Sequence, residues 1–70
     1  MTKSAFDRWT SNEITWRTTG DLDFPFAAEH EGHALRLRLN DFPDEPLHTL
    51  FVDGQELGDF DDWPPRWRQP

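Results

Sequence analysis

The chain has 70 residues, no cysteine and a formal net charge of −7. That length fits one small domain, residues 1–70, which buries only about 60% of its unfolded surface. Without disulfides or thiolate metal sites, the apolar side chains must hold it together. No purely apolar run exceeds three residues, which excludes a membrane-spanning helix. The acidity disfavours direct binding to nucleic acid or anionic membrane, whose phosphates call for Lys and Arg.

Residues 4–10, with Ala5, Phe6 and Trp9, can form one helical turn, a length that is marginal alone. Lys3 precedes no apolar stretch, so no secretory signal is read and a cytoplasmic protein is expected. Residues 13–19, Glu-Ile-Thr-Trp-Arg-Thr-Thr, alternate in polarity and are rich in β-branched side chains. They predict a first strand with Ile14, Trp16 and Thr18 on one face. Gly20-Asp21 turns the chain. Residues 24–30 predict a second strand with Phe24, Phe26 and Ala28 on one face, Pro25 suiting a strand start or an edge. Glu31-Gly32 makes a hairpin into a third strand, residues 33–39. There the period of two is clearest: Leu35, Leu37 and Leu39 face one way, Arg36 and Arg38 the other.

Residues 40–46, Asn-Asp-Phe-Pro-Asp-Glu-Pro, are a loop, because their prolines forbid regular structure. Residues 47–52 predict a fourth strand, apolar on both faces and therefore central or covered. Asp53-Gly54 is a hairpin signal leading to a short fifth strand at residues 55–59. Residues 61–65 turn again and anchor the C-terminal part through Trp63. The expected fold class is mainly β: a small antiparallel meander sheet of four or five strands with a short N-terminal helical turn. Trp16 and Trp63 are expected in the core. Trp9 and Trp67, among charges near the ends, read equally as core or interface. Asp23-Phe24-Pro25 and Asp41-Phe42-Pro43 resemble each other, too briefly for a repeat.

Charge is unevenly placed, with a net of +1 over residues 1–20, −10 over 21–62 and +2 over 63–70. Between Asn40 and Pro65 stand eight carboxylates and no Lys or Arg: Asp41, Asp44, Glu45, Asp53, Glu56, Asp59, Asp61 and Asp62. Phe42, Leu47, Leu50, Phe51, Val52, Leu57, Phe60 and Trp63 are interleaved with them, so this is folded chain and not a disordered acidic tail. A one-signed surface on a small rigid body suits a positively charged partner. Five strands about 4.8 Å apart span about 20 Å, the scale of a nucleic-acid duplex, so the acids can resemble a lattice of phosphates. Solubility is the competing explanation, although ordinary surfaces mix the two signs.

These eight acids are the candidate partner-binding residues. Within the set, Asp53 is expected to hold the Asp53-Gly54 turn and Asp61 to cap the turn before Trp63. Asp44, Glu45, Glu56 and Asp59 are expected to be free surface acids. Asp7 and Glu13, by contrast, have Arg8 and Arg17 close in sequence.

Other chemistry finds no complete pattern. His30 and His33 flank Glu31-Gly32 beside Glu29, but no third ligand stands at zinc-motif spacing. Asp53, Glu56, Asp59, Asp61 and Asp62 do not follow the EF-hand order, because Gly54 falls directly after the first acid. There is no Cys nucleophile, phosphate-cradling Gly loop or Ser/His/Asp spacing, and a sheet this small has little interior for a catalytic pocket. A monomeric binding protein without cofactor or metal, not an enzyme, is expected.

Size, acidity, absence of cysteine and a compact β pattern together resemble the small phage-encoded inhibitors that mimic nucleic acid, of the anti-CRISPR type. The resemblance lies in the character of the whole chain and carries over no individual residue. It implies a protein of the host-cell cytoplasm that occupies a duplex- or strand-binding groove on a CRISPR surveillance complex or another nucleic-acid-binding protein, blocking it by competition. An immunity protein that plugs the basic active site of a toxin nuclease would use the same physics. An acidic domain whose charge serves only solubility is the third reading.

Overall fold

The computed structural model describes residues 5–70; Ser4, the first residue of the predicted helical turn, lies outside them. In chain order the elements are α1 (Ala5–Thr10), β1 (Ile14–Thr15), β2 (Arg17–Thr18), β3 (Phe26–His30), β4 (His33–Leu39), β5 (His48–Val52), β6 (Gln55–Phe60) and β7 (Trp67–Arg68). Strands β2 to β6 form a five-stranded antiparallel sheet in sequence order, and β1 pairs with β7. The structure is therefore mainly β with a short N-terminal helix.

Local turn chemistry builds the two hairpins. Glu31 and Gly32 have φ of 51° and 82°, and Asp53 and Gly54 have 52° and 83°. Two successive left-handed residues twist in the same sense as the flanking strands, which is why such pairs close two-residue hairpins. The alternation in β4 then sorts its side chains as expected. Leu35 and Leu37 are buried, Arg36 is exposed, and only Leu39 runs beyond the core, 49% exposed.

The register aligns Ala28, Leu35 and Val52 in one row and Phe26, Leu37 and Leu50 in the next. This is the core face, and Trp9, Ile14, Trp16 and Trp67 cover it. Trp9 and Trp67 are thus core residues, 5% and 4% exposed. Trp67 Nε1 donates to Trp9 O at 3.0 Å, and Trp63 Nε1 donates to Trp67 O at 2.9 Å, so the C-terminal segment is tied to the helix. On β6 the pairing shifts by one residue, leaving Leu57 opposite no partner. There Phe6 of α1 lies on Gly58, where a Cβ would come within 2.8 Å of Phe6 Cδ1.

Three features depart from the sequence expectations. First, the strand expected over 13–19 is divided. Ile14 and Thr15 pair in parallel with Trp67 and Arg68, whereas Arg17 and Thr18 pair antiparallel with Ala27 and Phe26. Alternation reports which face of a strand is buried and is silent about its partner, so a change of partner at Trp16 leaves it undisturbed. Second, β7 was not foreseen: two residues joined in parallel to a distant segment carry no local signal.

Third, the second strand begins at Phe26 and not at residue 24. Asp21 Oδ1 accepts from the N–H groups of Asp23 and Phe24 at 2.8 and 3.1 Å, and Thr19 Oγ1 donates to Phe24 O at 2.6 Å. This side-chain-to-backbone turn competes with the ladder and puts Phe24 on the face opposite Phe26. Phe24 meets Phe51 at 5.4 Å between ring centroids, while Phe26 meets Trp63 at 5.6 Å. Strand β5, paired along both edges, is covered on both faces as expected: Leu50 and Val52 lie in the core, and Arg38 covers Phe51 with its guanidinium 5.3 Å from the ring.

Candidate partner-binding surface

The antiparallel order gives the sheet two distinct ends. The hairpin turns at residues 31–32 and 53–54 lie at one. Loop 19–25, loop 40–46 and the segment after β6 lie at the other, the loop end. The eight candidate acids divide between them. Asp53 and Glu56 belong to the hairpin end, while Asp41, Asp44, Glu45, Asp59, Asp61 and Asp62 belong to the loop end.

Several of the eight have work inside the molecule. Asp53 accepts from His33 Nδ1 at 2.6 Å and from the Ala34 N–H at 2.9 Å, which bonds the second hairpin to the first. His33, and then the Ala34 N–H, hold the Asp53 carboxyl below the usual carboxylate range. Glu56 lies 3.8 Å from Arg38 Nη2, so it has a cation that sequence distance concealed. Asp59 Oδ1 accepts from Thr49 Oγ1 at 2.7 Å. Thr49 is fully buried and in turn accepts from Asn40 Nδ2 at 2.7 Å, while Arg38 Nε donates to Asn40 Oδ1 at 3.0 Å. Asp61 Oδ1 accepts from the Leu47 N–H at 2.9 Å, joining the segment after β6 to the start of β5. Its recorded bond is thus made across the sheet end and not within the turn before Trp63.

Loop 40–46 is pinned by its own groups. Glu45 Oε1 accepts from the Asp41 N–H at 3.2 Å, and the Glu45 N–H donates to Asp41 O at 2.8 Å. Of the four acids expected to be free at the surface, Asp44 alone has no hydrogen bond or ion pair among the described residues. Asp62 is likewise exposed and unengaged among them.

Sequence reasoning missed half of the loop end. The Leu39 N–H donates to Asp23 O at 2.9 Å, which brings loop 19–25 against the end of β4. Asp21 and Asp23 thereby join the acids of loop 40–46, and the two Asp-Phe-Pro segments share one end of the sheet. The N–H groups of Phe24 and Asp23 hold the Asp21 carboxyl below its ordinary range. The three exposed large apolar side chains among the described residues are Leu22 (89%), Phe42 (59%) and Leu39 (49%), and all stand here.

Three arginines are committed to other acids, while Arg36 acts on Asp21 through space. Arg17 pairs with Glu29, Arg38 with Glu56, and Arg68 with Glu13 at 2.9 Å. Glu13 is therefore served by a residue 55 positions away and not by the nearby Arg17. Among the described residues, no ion pair involves Asp21, Asp23, Asp41, Asp44, Glu45, Asp61 or Asp62. No helix among them is long and apolar enough to cross a membrane. The chain matches no protein-family model, no curated protein and no solved structure.

Proposed function

We propose that this protein binds a basic nucleic-acid-binding groove of another protein through its loop end, and blocks that groove as a mimic of DNA. The resemblance in character to anti-CRISPR inhibitors makes a CRISPR surveillance complex the first target to test. One observation carries the reading. Seven exposed carboxylates without an ion pair among the described residues share one end of the sheet with the exposed Leu22, Leu39 and Phe42.

Solubility accounts for exposed acids but not for large apolar side chains gathered among them. Apolar contact inside a charged rim is how protein interfaces are built. The carboxylates stand in for phosphates: they meet the groove's Lys and Arg and release counterions as DNA does. Their summed field steers the approach and speeds association. The basic active site of a toxin nuclease offers the same complement, and the identity of the captured partner separates the two targets.

The test is capture from a bacterial lysate followed by competition. The captured partner is a nucleic-acid-binding protein, duplex or single-stranded DNA displaces it, and its affinity falls steeply between about 50 and 200 mM salt. A complex indifferent to salt, or one that binds DNA at the same time, overturns the reading.

A further inference from the structure

On the core side of the loop end, beside Asp61, the surface opens into a cleft of ≈ 650 Å³. Three rings form its apolar wall. Phe26 meets Trp63 at 5.6 Å and 72°, Phe26 meets His48 at 5.9 Å and 74°, and His48 meets Trp63 at 6.3 Å and 81°. Rings at near right angles make a corner and not a stack. Trp63 has already given its N–H to Trp67 O, so what its indole offers a ligand is π surface. Asp61 supplies the charge. Its Oδ1 is anchored by the Leu47 N–H, and no hydrogen bond among the described residues engages Oδ2.

His48 is the independent observation. It is 8% exposed, lines the cleft, and its Nδ1 has no hydrogen-bond partner among the described residues. Buried polar atoms normally find partners, so a lone one in the wall of a cleft marks polar capacity that the fold itself leaves unused. Burial also depresses the imidazole pKa, the Arg38 carbonyl opposing this more weakly, so at neutral pH the ring is uncharged and does not repel a cation.

We propose that this cleft receives an arginine side chain of the protein partner, its guanidinium laid against Trp63 and Phe26 and its charge met by Asp61. Arginine fits better than lysine. A guanidinium is flat, weakly hydrated and rich in directed N–H donors, so it stacks on aromatic rings and bonds carboxylate at once, whereas an ammonium is compact and strongly hydrated. The inference rests on the binding reading of the loop end and deepens it, placing one anchoring residue within a broad electrostatic contact.

The experiment titrates the ¹⁵N-labelled protein with a hexa-arginine peptide and, separately, with hexa-lysine. Hexa-arginine is expected to shift the resonances of Phe26, Asp61 and the Trp63 indole, and to bind at least tenfold more tightly than hexa-lysine. Asp61→Asn keeps an oxygen for the Leu47 N–H and removes only the charge; it is expected to weaken hexa-arginine at least tenfold. The double variant Asp44→Lys/Asp62→Lys reports on the acidic surface apart from the cleft. If it weakens the peptide while Asp61→Asn does not, and the cleft resonances stay still, the cleft proposal fails and the acidic-surface reading stands. If neither variant matters, both fail. If hexa-lysine moves the cleft resonances as far and binds as well, the assignment to arginine is overturned.

Discussion

Thr49 Oγ1 donates to Asp59 Oδ1 at 2.7 Å from a residue with no solvent exposure. The same oxygen accepts from Asn40 Nδ2, which also donates to Pro46 O at 2.9 Å. One buried hydroxyl thereby joins the end of β4, the start of β5 and the end of β6, and fixes loop 40–46 to the sheet. Asp59 is a support of the acidic surface more than a contact on it.

Thr49→Val is isosteric and removes two hydrogen bonds, those from Thr49 to Asp59 and from Asn40 to Thr49, while Asn40 keeps Pro46 O and Arg38. The expected loss is about 1–3 kcal/mol of stability, the usual net contribution of two hydrogen bonds at about 0.5–1.5 kcal/mol each. Asp59→Lys should lose a similar amount, while the unengaged Asp44→Lys should stay within about 0.5 kcal/mol of wild type. Urea unfolding of the three variants measures this. Equal midpoints for Asp59→Lys and Asp44→Lys would show that the bond to Thr49 is without consequence.

Binding should depend on the loop end and not on acidity at large. Asp44→Lys/Asp62→Lys is expected to keep the fold and to cost several kcal/mol in affinity for a basic protein partner, since like charges then face each other. Leu22→Ser/Phe42→Ser should also weaken binding without loss of stability, because both side chains are already exposed. Glu13→Lys replaces an acid that is already paired with Arg68 and is not one of the seven, and it serves as the control. Calorimetry on the captured partner decides, and a control that weakens binding more than the double charge reversal removes the loop end from consideration.

Gly58 has a steric reason to be glycine. A Cβ there would lie 2.8 Å from Phe6 Cδ1 and 3.1 Å from Cγ, so Gly58→Ala must push the α1 aromatic ring off β6. Overpacking of this kind costs typically 1–3 kcal/mol. Phe6→Leu/Gly58→Ala should recover part of the loss, since the smaller side chain yields to the new methyl. Failure of the double variant to show any coupling in thermal unfolding would separate Phe6 from Gly58.

Asp21, Asp53 and His48 set the acid side of the stability profile, Asp21 acting in the same window and with the same sign as Asp53. The Asp53 carboxyl is held below 3.8 by its bonds to His33 and Ala34, so the stability it contributes is complete above the unfolded value. That contribution is lost as pH falls through the lower, folded value. His48 is held below 6.5 by burial, so the folded state prefers the neutral ring. Its contribution is complete above 6.5 and declines as pH falls toward the folded value, because the unfolded chain takes up the proton first. Urea midpoints against pH should therefore decline first below 6.5 and again below 3.8. His48→Phe should flatten the first decline, and Asp53→Asn the part of the second that Asp21 does not supply. A profile unchanged by both substitutions would contradict these assignments.

What the sequence by itself determined is local. Glu31-Gly32 and Asp53-Gly54 specify hairpins because paired left-handed residues are a property of the turn itself, and Leu35, Arg36 and Leu37 sort to opposite faces because a strand alternates whatever lies beside it. From these the antiparallel meander follows, with β5 inside it. Only the tertiary structure decided who stands next to whom. It passed the first predicted strand from β7 to β3 at Trp16 and buried Trp9 and Trp67 under one another. It gave Glu56 the cation Arg38 and Asp59 the hydroxyl of Thr49, and it set Asp21 and Asp23 beside loop 40–46 through the bond from Leu39 to Asp23. The stretch without Lys or Arg is a fact about chain distance, whereas electrostatics acts through space. Strand register, set by burial along the whole sheet, converts the one into the other.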